Sequence, residues 1–147
     1  MSSESEIELF RQHRIGQEKY TYFLLAAAAS GIALVVRVTA DATLHWSLIP
    51  LAAAVIAWLA SFVSGCRFLQ TVTTVTHKNV GLLQAQRGAN PIARNPAENE
   101  ALVQIAREDI QKDVTVSGKH SRYQFRHLVS GAVLFIVWHV LEIILRS

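Results

Sequence analysis

The sequence contains little charge, and two long stretches contain almost none. Its 147 residues are 51% hydrophobic and only 17% charged, whereas soluble domains are about 25% charged. Between Tyr20 and Cys66, the only Asp, Glu, Lys or Arg residues are Arg37 and Asp41. Such a stretch is too apolar for the surface of a soluble protein. The composition therefore argues against a soluble enzyme with one compact core and predicts an integral membrane protein.

The sequence also lacks the residue patterns of catalysis. Its single cysteine, Cys66, excludes an intrachain disulfide and a cysteine-rich metal site. No hydrolase elbow, zinc-protease motif, glycine-rich phosphate loop or dinucleotide fingerprint is present. We therefore predict that the protein is not an enzyme and has no cofactor or bound metal. The net charge of +3 does not predict nucleic-acid binding, because basic residues of membrane proteins gather beside the cytoplasmic leaflet.

Three hydrophobic segments predict an all-α fold with three transmembrane helices. Residues 20–36, 46–66 and 128–145 form runs of 17, 21 and 18 residues, which as helices reach about 26–32 Å and match a membrane of about 30 Å. The flank before Tyr20 carries a net charge of −1, which argues against a cleaved signal peptide. The predicted divisions are an N-terminal segment, two helices, a cytoplasmic hairpin and a third helix, at residues 1–19, 20–66, 67–127 and 128–147.

The distribution of basic residues predicts the orientation. With the N-terminus inside, twelve of the fourteen Lys and Arg residues lie on the cytoplasmic side, as the positive-inside rule requires. We therefore predict a multi-pass protein of the bacterial inner membrane, with a cytoplasmic N-terminus and the C-terminus outside.

The cytoplasmic part is predicted to be an antiparallel helical hairpin. Its first helix continues from the second transmembrane helix to Gln86, although the threonine-rich run 71–76 has strand propensity. Asn95 is the expected N-cap of the second helix and Pro96 its first residue. Gly118 is the expected end of that helix.

Small residues at four-residue spacing predict close helix packing. They occur on the first and second transmembrane helices and allow the backbones of packed helices to approach in lipid. The packing is either within one subunit or between identical subunits, and the latter predicts a homo-oligomer. These residues are Ala27, Gly31, Ala53, Ala57, Ser61 and Gly65.

Two sets of polar residues are candidates for a pore or gate. Gln70, Thr74 and His77 belong to a weakly charged surface that either lines an aqueous pathway or simply faces water below the headgroups. At the other side of the membrane, Glu142 and His139 are the ionisable groups deepest in a span. Glu142 either pairs with Arg146, one turn away, or acts at a pore entrance or with Arg37.

A stretch that alternates cations with aromatic residues precedes the third transmembrane helix. Lys119, Arg122, Tyr123 and Arg126 are predicted to anchor the chain at the membrane surface and to contact anionic lipid. The alternative is a binding surface for a nucleotide or a phosphorylated regulator.

The segment from Gln12 to Leu25 (QHRIGQEKYTYFLL), with the later Ser64–Arg67 (SGCR), resembles small bacterial inner-membrane proteins to which no activity is assigned. The overall plan is also loosely similar to membrane effectors of bacterial antiviral systems. The small-residue face and the polar cytoplasmic extension lie on the same helix, the second, and this favours an oligomeric channel or pore-forming effector, gated through the cytoplasmic helices. The alternative is a membrane anchor or adaptor that does not conduct ions and recruits a soluble cytoplasmic protein.

Overall fold

The computed structural model describes residues 2–40, 45–87 and 95–146, and every regular element among them is helical. Helix α1 spans Ser2–Val38, a short 3₁₀ helix spans Trp46–Leu48, α2 spans Ile49–Gln86 and α3 spans Pro96–Arg146. The prediction of an all-α protein is confirmed.

Three helices are long and apolar enough to cross a membrane, as the sequence predicts. They bear many large apolar side chains on their outer surfaces, including Phe23, Ile56 and Ile144, which are 68%, 67% and 62% exposed. Apolar patches of this extent are rare on soluble monomers. They are suited to lipid, and the helices indicate a multi-pass membrane protein.

The threonine-rich part of α2 is helical despite its strand propensity. Thr74 Oγ1 donates a hydrogen bond to the Gln70 carbonyl at 3.0 Å, four residues earlier. Thr71, Thr73 and Thr76 make the same bond to the carbonyls of Arg67, Leu69 and Val72. The hydroxyls therefore bond within the helix itself, in a way that is compatible with helical backbone.

Helix α3 begins as predicted but does not end at Gly118. Asn95 Oδ1 accepts a hydrogen bond from the Glu98 backbone N–H at 2.8 Å, and Pro96 is the first helical residue. The helix then continues through Gly118 to Arg146. A glycine inside a helix costs only about 1 kcal/mol, and buried residues on either side, Ser117 and Gln124, hold the helix in place.

The chain divides into two compact units. The first contains residues up to Cys66 together with Ser121–Ser147, and the second is Arg67–His120. Each helix of the first unit turns buried residues inward at steps of three, four or seven, the spacing of left-handed helix packing. These residues are Thr21, Leu24, Ala28 and Val35 of α1, Leu51, Ala54, Trp58, Ser61 and Gly65 of α2, and Gln124, Gly131 and Trp138 of α3.

The second unit is an antiparallel helical hairpin. Lys78 of α2 contacts Asp109 and Asp113 of α3. Nearer the connection, Asn99 Nδ2 donates a hydrogen bond to the Ala85 carbonyl at 3.0 Å. Because later residues of α2 contact earlier residues of α3, the two helices run in opposite directions.

Candidate functional site

Three polar side chains are buried where the helices of the first unit meet. Thr21, Ser61 and Gln124 are at most 1% exposed. Ser61 Oγ donates to the Gln124 carbonyl at 2.8 Å, and Gln124 Nε2 donates to the Thr21 carbonyl at 3.3 Å. This polar cluster connects all three helices. Its hydrogen bonds satisfy polar groups that water cannot reach in apolar surroundings.

The amide of Gln124 fits because the facing residue is a glycine. A methyl group at Gly65 would collide with Gln124 Nε2 and would lie 2.9 Å from Leu25 Cδ2. The other amide atom, Gln124 Oε1, is buried and has no hydrogen-bond partner among the described residues. The Ser61 hydroxyl and the Gln124 amide therefore join the three helices as donors, and the acceptor Gln124 Oε1 remains without a partner among the described residues.

Trp58 fills the centre of the same unit. Its indole lies between two glycines, because a methyl group at Gly31 or Gly131 would be 2.9 Å or 2.5 Å from its ring atoms. Trp58 Nε1 donates to the Leu128 carbonyl at 3.2 Å. The Phe135 ring packs at a centroid distance of 5.9 Å. The two glycines thus accommodate one large side chain between α1 and α3.

The six small residues predicted to pack helices together differ in how deeply they are buried. Ser61 and Gly65 are buried inside the first unit, and Gly31 is half-buried against Trp58. Ala27, Ala53 and Ala57 are also half-buried. Packing inside one subunit accounts for Gly31, Ser61 and Gly65.

The pore candidates lie on outer surfaces. Gln70, Thr74 and His77 are exposed on one face of α2 together with Thr73; these four residues are called the α2 polar face below. In the first unit, Arg37 and His139 are exposed and Glu142 is half-buried. The His139 ring lies beside the indole of Trp138, at a centroid distance of 6.2 Å.

A charged clasp joins the two helices of the hairpin. Lys78 Nζ lies 2.6 Å from a carboxylate oxygen of Asp109 and 2.6 Å from one of Asp113. The hydrogen bonds to Asp109 and Asp113 raise the pKa of Lys78 above its usual value of 10.5. The hydrogen bond from Lys78 lowers the pKa of Asp109 below its usual 3.8. The clasp therefore stabilises the hairpin at neutral pH and weakens as Asp109 gains a proton in acid or Lys78 loses one in base.

The predicted lipid or ligand contacts are all exposed on α3. They are Lys119, which belongs to the second unit, and Arg122, Tyr123 and Arg126 of the first. The Tyr123 ring stacks on His127 at a centroid distance of 6.3 Å. The described residues include no group of three side chains that could hold a metal ion.

The chain matches no protein-family model, no curated protein and no solved structure.

Proposed function

We propose that the protein is a homo-oligomeric channel or pore-forming effector of the bacterial inner membrane, gated through its hairpin. The observation that supports this proposal is the α2 polar face. Its four side chains are uncharged or weakly basic, are exposed, and project from one side of a helix that continues from an apolar segment. Hydroxyl and amide groups in such a position can replace water around a passing ion.

The pathway of this proposal lies between subunits. In the described part of the first unit, the interior is occupied by large side chains, including Trp58 and Trp138. The α2 polar face is exposed, so neighbouring subunits can arrange it around a common axis. Glu142, half-buried on α3, then attracts cations at the outer mouth.

The orientation belongs to the same proposal, with the N-terminus and the hairpin in the cytoplasm. We expect a reporter enzyme that is active only in the cytoplasm to work when fused after position 90, and a reporter active only outside to work after position 147. The twelve inward cations are the physical reason. Activity of the external reporter after position 90 would refute this topology.

Ion flux through the purified protein in liposomes tests conduction. We expect Thr74→Val to reduce flux by about fivefold, the equivalent of one hydrogen bond of about 1 kcal/mol. Thr115→Val is the matched control, because Thr115 is also exposed and also donates to the carbonyl four residues earlier, at 2.9 Å, but lies on α3. The control should conduct as the unmodified protein does, with or without a nucleotide as trigger.

The same assay examines Glu142. Glu142→Gln should reduce the preference for cations, whereas Glu108→Gln, an exposed carboxylate of the hairpin, should not. If Glu142→Gln still conducts with unchanged ion selectivity, the proposal of a pore stands, but Glu142 does not attract cations at its mouth. Equal flux in Thr74→Val and Thr115→Val would show that the α2 polar face does not line the pathway.

A second candidate function is a membrane anchor that recruits a soluble partner. Apolar side chains on the hairpin support it, because Ile105, Leu83 and Val80 are 63%, 52% and 51% exposed. Val103 and Ile110 of the same hairpin are half-buried. Absence of flux under every condition, together with a soluble protein that copurifies and is lost in Ile105→Ser, would favour the anchor.

A further inference from the structure

The chain passes between the two units twice, once in α2 and once in α3. Helix α2 leaves the first unit after Cys66, and α3 returns to it at Ser121. Both helices are continuous across these crossings. The hairpin can therefore change its orientation only if both helices bend there, and the residues at the two crossings determine how easily they do so.

A serine directly precedes a glycine at four places in the chain, and Ser–Gly pairs are among the few sites where helices bend sharply. The pairs are at residues 30–31, 64–65, 117–118 and 130–131. Three of the glycines are needed for close packing. A methyl group at Gly31 or Gly131 would collide with the indole of Trp58, and one at Gly65 would collide with the amide of Gln124.

The fourth glycine, Gly118, has no such role. It is exposed, and a methyl group there would meet no atom within 4 Å. Alanine would fit and is the better helix former, so packing does not require a glycine at this position. Of residues 114–119, only Ser117 is buried. Little packing therefore opposes a bend of α3 at the pair Ser117–Gly118, three residues before the helix enters the first unit.

Helix α2 is weakened at its own crossing by hydroxyl groups. Ser64 and Thr71, on either side of the crossing, donate from their hydroxyls to the carbonyls four residues earlier, at 2.8 and 2.9 Å. Thr73, Thr74 and Thr76 make the same bond. Such bonds compete with the helix's own hydrogen bonds for the carbonyl oxygens and often bend helices. They are concentrated in residues 64–76, which contain the point where α2 leaves the first unit.

We propose that the pair Ser117–Gly118 and residues 64–76 form a joint at which α3 and α2 bend, and that motion of the hairpin about this joint opens and closes the channel. Hinges are a few residues, often small, that absorb a change in backbone angles. Thr74 of the α2 polar face belongs to the joint, so a bend there moves polar groups of the pathway. The effect on conduction rests on the proposed function, whereas the bending itself does not.

Distances between spin labels test the joint, measured by double electron–electron resonance on the full-length protein in nanodiscs. The labels are attached to cysteines in a Cys66→Ser background, and labelled chains are diluted with unlabelled ones. Ile15→Cys/Glu100→Cys places one label in each unit, and Ile15→Cys/Val36→Cys places both in α1; all three positions are exposed. We expect the distance distribution of the first pair to be about twice as wide as that of the second, because bends at Ser–Gly pairs exceed about 20°.

Gly118→Ala should narrow the distribution of the first pair nearly to the width of the second and leave the second unchanged, which also shows that the first unit is folded. Gly81→Ala is the matched control, because Gly81 is also an exposed glycine of the hairpin with no atom within 4 Å of an added methyl group, but lies outside the joint. It should change neither width. In the liposome assay, Gly118→Ala should reduce ion flux by about fivefold, the factor by which a helix favours alanine over glycine, and Gly81→Ala should not.

Three results would overturn the proposal. One is a distribution for the pair at positions 15 and 100 that is as narrow as the one for positions 15 and 36 in the otherwise unmodified protein. Another is equal narrowing by Gly118→Ala and Gly81→Ala, which would trace the effect to helix propensity anywhere in the hairpin. The third is narrowed distances with unchanged flux, which would reject the role in gating. If the unmodified protein conducts no ions, the proposed channel fails, and the distances still decide whether the helices bend.

Discussion

Replacement of Trp58 by alanine is expected to lower the free energy of unfolding of the first unit by about 3–5 kcal/mol. Trp58 is 5% exposed, lies between two glycines and donates to the Leu128 carbonyl. In lipid the loss comes from lost contacts, because the membrane interior provides little hydrophobic driving force between helices. Unfolding by sodium dodecyl sulfate in mixed micelles measures the change.

Trp46→Ala is the matched control for this substitution. Trp46 is 85% exposed, and removal of its ring should change the free energy by no more than about 0.5 kcal/mol. Trp58→Phe should fall between the two variants, because it keeps a ring and loses the hydrogen bond. Equal effects at positions 46 and 58 would contradict the central role of Trp58.

Alanine at Gly131 is expected to destabilise the first unit by about 1–3 kcal/mol, although alanine is the better helix former. Its methyl group would lie 2.5 Å from Trp58 Nε1 and 2.6 Å from Trp58 Cδ1. A buried, hydrogen-bonded indole has little room to move. Gly16→Ala should have the opposite sign and stabilise by about 0.5–1 kcal/mol, because a methyl group at Gly16 meets no atom within 4 Å.

The interaction between positions 58 and 131 can be isolated by combining the variants. Gly131→Ala in the Trp58→Ala background should cost little, since the methyl group enters the space left by the indole. If the two losses add, the indole is not what position 131 contacts, and the packing described above is incorrect.

The helices could be predicted from the sequence because their signals are local. Uncharged runs indicate the apolar segments, and the cap at Asn95 and the proline at position 96 mark the start of α3. Gly118 was wrongly predicted to end a helix, because glycine is only a weak helix breaker when its neighbours are held by packing. The threonine-rich run is helical because its hydroxyls bond to the backbone of the same helix.

The polar cluster could not be predicted, because it depends on contacts between distant residues. Gln124 bonds to a residue 103 positions earlier in the chain, and in the sequence it looks like part of a basic, aromatic stretch. The burial of Trp58, in contrast, could have been predicted from the sequence. It belongs to a series of buried residues on α2 separated by alternate steps of three and four: Leu51, Ala54, Trp58, Ser61 and Gly65. The small residues at four-residue spacing on α2 coincide with this series only at Ser61 and Gly65.

The hydrogen bonds of the threonines also determine which atoms the exposed side of α2 presents to its surroundings. Thr73 and Thr74 each donate their hydroxyl hydrogen to a carbonyl of the same helix, at 3.0 Å. Their oxygens therefore present lone pairs outward and no proton. Such oxygens are electronegative without carrying a formal charge, so in the proposed channel we expect them to favour cations over anions.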